Sequence, residues 1–181
     1  MAWVAPRVLL YQRIIDRPVR TVLSMKKWGE DPVRGSQIGM SVGLRETSII
    51  SIVDDDESIR DAVKYLLRSV GFRAETFASP EDFLNSDHLH HTGCLILDLR
   101  MPGMNGLELQ QLLVAAKYRI PIIFITADGD EAARTRAFQA GAVGYLQKPF
   151  RQEALLHAVQ VALRGSQGES TQSRPGHGGS A

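Results

Sequence analysis

The stretch Ile49–Gly71, IISIVDDDESIRDAVKYLLRSVG, changes period partway along, and that change decides the fold. Its first five residues are a continuous apolar-leaning run suited to a buried strand. Four acids follow, Asp54, Asp55, Asp56 and Glu57. From Ser58 to Ser69 the apolar residues Ile59, Val63, Leu66 and Leu67 recur at helical spacing, continued by Val70 and stopped by Gly71.

The same strand-then-helix pattern repeats downstream. Ala74–Phe77 reads as a short strand, and Ser79-Pro80-Glu81-Asp82 as an N-cap, a proline at the first helical position and first-turn acids. Cys94–Leu97 is a second buried strand ending at Asp98, and Leu107–Ala116 is helical. Pro121–Ile125 is a strand, Glu131–Ala140 a helix and Ala142–Leu146 a strand. Gln152–Leu163 closes the series as a helix with Leu155, Leu156, Val159 and Leu163 on one side. Five strands alternating with five helices make βαβ units, and right-handed crossovers gather them into one parallel sheet covered on both faces. The fold class is α/β, a doubly wound (βα)5 sheet.

Composition bounds the chemistry. At 181 residues, with 44% apolar, 23% charged and 7% aromatic side chains, the chain has the make-up of a globular protein. One cysteine, Cys94, excludes a disulfide framework and a cysteine-based zinc site, fits a reducing cytoplasm and reads as a small buried apolar residue. No apolar run approaches the roughly 20 residues that span a bilayer, so no membrane span is expected. Neither GxGxxG nor GxxxxGK[ST] occurs, which disfavours the nucleotide-binding enzymes. The net charge of +1 is unevenly spread: residues 1–47 hold eight Lys/Arg against four acids, whereas 48–162 hold eleven against fifteen.

In a doubly wound sheet the functional crevice lies at the carboxyl ends of the strands. After the first strand come Asp54 and Asp55, after the third Asp98 and then Leu99-Arg100-Met101-Pro102-Gly103-Met104-Asn105-Gly106. After the fourth come Thr126 and Ala127, and after the fifth Lys148. If strands one and three are neighbours, three carboxylates converge. Like charges near 4 Å repel by about 1 kcal/mol in water and about 4 kcal/mol at an effective dielectric of 20, so compensating cations are required. Lys148 supplies one, and an all-oxygen site that keeps its waters favours Mg2+ for the rest. An isolated acidic run is usually a solvated loop, the reading kept for Asp56 and Glu57 as first-turn acids.

The segments IVDDDESIR (52–60), LILDLRMPGMNGLEL (95–109), PIIFITADGD (121–130) and AGAVGYLQKPF (140–150) together resemble the receiver domain of bacterial two-component response regulators, of the kind that often precedes a LuxR-type module. The resemblance covers about 48–163 and implies a flavodoxin-like strand order 2-1-3-4-5. It also implies roles. Asp98 would accept a phosphoryl group from a sensor histidine kinase or phosphotransfer protein. Asp55 would be a direct Mg2+ ligand, Asp54 would act through a metal-bound water, and the backbone carbonyl of Arg100 would complete the protein's share. Lys148, ahead of a cis Lys148–Pro149 peptide, would pair with Asp98 at rest and with the phosphoryl group afterwards. Thr126 would donate its hydroxyl to that group, Ala127 would leave it room, and Tyr145 would turn inward as Thr126 moves. The surface of the fourth helix, fifth strand and fifth helix would then bind a separate downstream protein or a second copy of the chain.

Competing readings remain beside this one. Tyr145 on a strand is also ordinary packing. His88, His90 and His91 suggest a metal site, but apart from the adjacent Asp87 the carboxylate partners are missing nearby. A phosphotransferase or phosphatase of the haloacid dehalogenase type also begins on a strand ending in Asp, but requires an acid two residues on, where this chain has Arg100. A phosphate sink without output is a further alternative. The chain is expected to perform no turnover beyond its own phosphorylation and dephosphorylation.

The domain organisation expected is a weakly structured basic extension over 1–47, a receiver over 48–163 and a disordered tail over 164–181. Helical spacing occurs in the extension at 8–15, and Met25 and Met40 are alternative starts. Its prolines leave no clear helix-turn-helix pair, and the Gly/Ser-rich tail is expected to carry no output domain. A stand-alone cytoplasmic switch without direct nucleic-acid binding is therefore expected.

Overall fold

The computed structural model describes residues 49–127 and 129–165. The elements run β1 (Ile49–Val53), α1 (Glu57–Ser69), β2 (Arg73–Phe77), α2 (Pro80–Asn85), a 3-10 turn (Asp87–His91) and β3 (Thr92–Asp98). Then follow α3 (Gly106–Ala115), β4 (Ile122–Thr126), α4 (Glu131–Gln139), β5 (Gly144–Gln147) and α5 (Gln152–Gly165). The strands form one sheet in the order β2-β1-β3-β4-β5, with every neighbouring pair parallel. The expected fold class and strand order are thus observed.

Strand alternation divides the core in two. Ile50, Ile52, Cys94, Ile96, Ile123 and Ile125 point to one face, where Val63 and Leu67 of α1 and Leu155 and Val159 of α5 cover them. Val53, Leu95, Leu97, Ile122 and Phe124 point to the other, beneath Phe83, Leu109, Leu113, Ala133 and Ala137 of α2, α3 and α4. Burial from water on both faces explains why these strands are nearly pure apolar runs. Within β1 the polar Ser51 bonds Thr92 at 2.7 Å, and the Thr92 hydroxyl donates to His88 O at 2.8 Å. Cys94 is fully enclosed, and burial pushes its thiol up to about 12.

Short polar signals set the helix ends. Asp56 caps α1, accepting from the Ser58 amide, so it lies one position outside the first turn in which it was expected. Asn105 and Glu108 form a reciprocal capping box at the start of α3. At the end of α4, Gly141 adopts φ +93, and the Ala142 amide bonds back to Ala137 O at 3.0 Å. That helix cap uses Ala142, which is why β5 starts at Gly144 rather than at the expected Ala142.

Helix α5 continues to Gly165, two residues into the segment expected to be a disordered tail. The rest of that tail, the basic extension, the helical spacing at 8–15 and the alternative starts lie outside the described residues.

Candidate functional site

Asp54 directly follows β1 and Asp98 ends β3, and the parallel pairing of these two strands places their ends side by side. Single oxygens of Asp54, Asp55 and Asp98 all lie within 4.8 Å of one another. Asp54 is wholly buried and Asp98 nearly so, whereas Asp55 is exposed. This is the only group of three or more acidic, histidine or cysteine side chains with such spacing among the described residues. His88, His90 and His91 form no such group: His88 packs near the Phe77 ring and His90 near Tyr118.

Lys148 follows β5, and its amide bonds the Thr126 carbonyl at 2.7 Å, tying the lysine to the end of β4. Its Nζ lies 2.7 Å from Asp54 Oδ2 and 3.5 Å from Asp98 Oδ1. The resemblance pairs the lysine with Asp98; here it spans both acids, with the shorter contact to Asp54. The enclosed Asp54 carboxylate needs that proximity most, and Asp98 Oδ1 also accepts the Leu99 amide at 2.9 Å. The Lys148–Pro149 peptide is cis, as the resemblance implies.

The electrostatics follow from this crowding. Burial, reinforced by the Asp54 charge, pushes the Asp98 carboxyl up to about 6 against the opposing pull of Lys148. Burial alone would lower Lys148, but its hydrogen bond to Asp54 and the charges of Asp98 and Asp54 outweigh that and raise it. Three carboxylates facing one ammonium leave a net negative pocket of oxygen donors. That donor set fits a hard divalent cation.

Thr126 is buried at the end of β4, and Ala127 is exposed just beyond it. Tyr145 is half-buried on β5, with ring centroids 6.4 Å from Phe124 and 6.5 Å from Phe138. Arg100 is exposed in the loop after β3. The structure therefore brings Asp54, Asp55, Asp98 and Lys148 together and places Thr126 on the adjoining strand end.

Two further residues shape the pocket. Gly106 starts α3 directly against β3: a Cβ there would sit 2.3 Å from Asp98 O and 3.0 Å from the Phe124 ring. Arg60, one turn into α1, reaches back to the carbonyls of Asp54 and Asp55. A glycine opening a helix behind a capping asparagine was the readable hint of the first.

The sheet and pocket define a class: a flavodoxin-like α/β domain with an acidic, lysine-closed cleft at the switch point of its strand order. A family model described as the response regulator receiver domain matches residues 50–160, and the chain belongs to that family. It is 44% identical over 128 residues to the response regulator protein TmoT of Ectopseudomonas mendocina, covering 71% of this chain and 58% of that one. Among solved structures, the response regulator StyR superposes with a TM-score of 0.64 at 45% identity, covering 70% of this chain and 66% of that one. The crystal structure of FixJ-N gives 0.61 at 37% identity, covering 65% of this chain and 94% of the other. The chain spans little more than half the length of the curated relatives it matches. No helix among the described residues is long and apolar enough to cross a membrane.

Proposed function

We propose that this receiver is a phosphorylatable signalling switch in which Asp98 accepts a phosphoryl group from a histidine kinase or phosphotransfer protein. The observation that carries the reading is the position of Asp98: buried, held by the Leu99 amide, facing Lys148, and clustered with two further carboxylates. A carboxylate oxygen of Asp98 attacks phosphorus as the phosphorus–nitrogen bond to the donor imidazole breaks, and the imidazole leaves with that electron pair. Such a transfer asks chiefly for positioning and for neutralisation of the equatorial oxygens.

Asp54, Asp55, Asp98 and the Arg100 carbonyl would hold Mg2+, which supplies charge neutralisation at the phosphoryl oxygens. Lys148 adds a second positive charge, and Thr126 offers a hydroxyl on the same side. The open position of Ala127 leaves room for the group. Tyr145 and the face built by α4, β5 and α5 transmit the change to a separate protein or a second copy of the chain. The domain organisation of a basic extension over 1–47, a receiver over 48–163 and a polar tail remains part of this proposal. So does a cytoplasmic location without direct nucleic-acid binding.

Incubation of the chain with acetyl phosphate and Mg2+, read by intact mass, tests the reading. One added phosphoryl group is expected, absent when EDTA replaces Mg2+ in the incubation and absent in Asp98→Asn. Equal labelling of that variant would remove Asp98 from its role. Sustained hydrolysis of small phosphomonoesters would instead favour the haloacid dehalogenase alternative.

A further inference from the structure

We infer that Arg60 is a positioning residue for the cation site, holding Asp55 in place through its backbone; the inference rests on the reading of the pocket as a divalent-cation site. The three carboxylates are secured very differently. Asp54 uses both oxygens: Oδ1 accepts the Asp56 amide at 2.9 Å and Oδ2 faces Lys148 at 2.7 Å. Asp98 is held by the Leu99 amide and Lys148. Among the described residues, no hydrogen bond or ion pair holds the Asp55 carboxylate, which is exposed to water.

The position of that side chain therefore depends on its main chain. Arg60 Nη1 donates to Asp54 O at 2.8 Å and to Asp55 O at 3.0 Å. Those carbonyls belong to the two peptide planes on either side of the Asp55 Cα. A single guanidinium nitrogen thus constrains both soft dihedrals that aim the Asp55 side chain. Arg60 is itself fixed in the first turn of α1, its amide bonding Asp56 O at 3.1 Å. A group that orients a ligand without touching the ion typically changes metal affinity by 10- to 100-fold when removed.

Loss of Arg60 has an expected effect of unusual sign. Arg60 is a cation beside a cation site, so by Coulomb's law alone its removal would tighten Mg2+ binding. If Arg60 acts by fixing Asp55, its removal weakens binding, because the ion must then order the loop itself. Arg60→Met separates the two, keeping much of the apolar stem and losing the charge and both donors.

The experiment titrates the 181-residue chain, as wild type and as Arg60→Met, with Mg2+ alone, by calorimetry and by the amide NMR shifts of Asp55 and Asp56. Thermal unfolding in EDTA provides a separate measure of the fold. The expected result is a Kd for Mg2+ raised roughly tenfold in Arg60→Met. Arg68→Ala removes another α1 arginine, one that bonds Ala74 O away from the pocket, and is expected to leave the Kd unchanged. Should Arg60→Met not fold, Arg60→Gln is titrated with the same two readouts. A variant that binds Mg2+ as tightly as wild type, or more tightly, overturns the inference and leaves the cation site standing. A wild type that does not respond to Mg2+ overturns the cation-site reading itself.

Discussion

The two ends of the pocket are built in opposite ways. On the β1–α1 side, all five strand residues are buried, and α1 sinks Val63 and Leu67 into the core, with Ile59 and Leu66 packed beside them. Asp54 is tied on through its amide to Phe77 O at 3.3 Å and through both carboxylate oxygens. On the α4–β5 side, α4 buries only two alanines, Ala133 and Ala137, while Phe138 and Val143 are exposed. No residue of β5, an edge strand, is fully buried. A buried methyl group contributes far less than a buried leucine, so displacing α4 costs far less than displacing α1. One side fixes charge in space, and the other can respond to what happens beside it.

That contrast can be broken most directly at the lysine joining the two sides. Lys148→Met leaves the buried Asp54 opposite Asp98 with no ammonium, and a loss of about 3–5 kcal/mol is expected in urea unfolding. A much smaller loss would mean that the acidic end adjusts easily and is not a fixed frame. Next in size, Leu67→Ala on α1 is expected to cost about 3 kcal/mol by the same measurement.

Asp98→Asn should move stability the other way. Its folded carboxyl titrates near 6 rather than the ordinary 3.8, so the unfolded chain releases this proton first as pH rises. Stability is therefore lost from about pH 4 to about pH 6 and stays lost at neutrality. The neutral variant is expected to melt a few degrees higher at pH 7, with the advantage gone below about pH 4. A lower melting temperature at pH 7 would contradict the idea of uncompensated charge. The smallest effect belongs to Phe138→Ala on α4, expected below about 1 kcal/mol; a loss matching Leu67→Ala would erase the contrast between the two sides.

The fold was legible because sheet burial on both faces writes itself into sequence as apolar runs separated by helical periods. Boundaries slipped where hydrogen bonds, rather than hydrophobicity, decide them. The Ala142 amide closes α4, and the 3-10 turn at Asp87–His91 has no period to reveal it. Asp54, Asp55, Asp98 and Lys148 were readable because each stands at a strand's carboxyl end or within two residues of it. Arg60 was not, since a long polar side chain in a first helical turn resembles any solvated arginine. Nor does spacing disclose that Gly106 is forced by a carbonyl 2.3 Å from where its Cβ would lie.

The enclosed thiol of Cys94 has a practical consequence. Being the chain's single cysteine, with its proton held to about 12, it will stay silent toward maleimides while the domain is folded. A cysteine introduced at the exposed Phe138 would then be the sole handle for a fluorophore or spin label. Conformational reporting from α4 would need no prior removal of native sulfur.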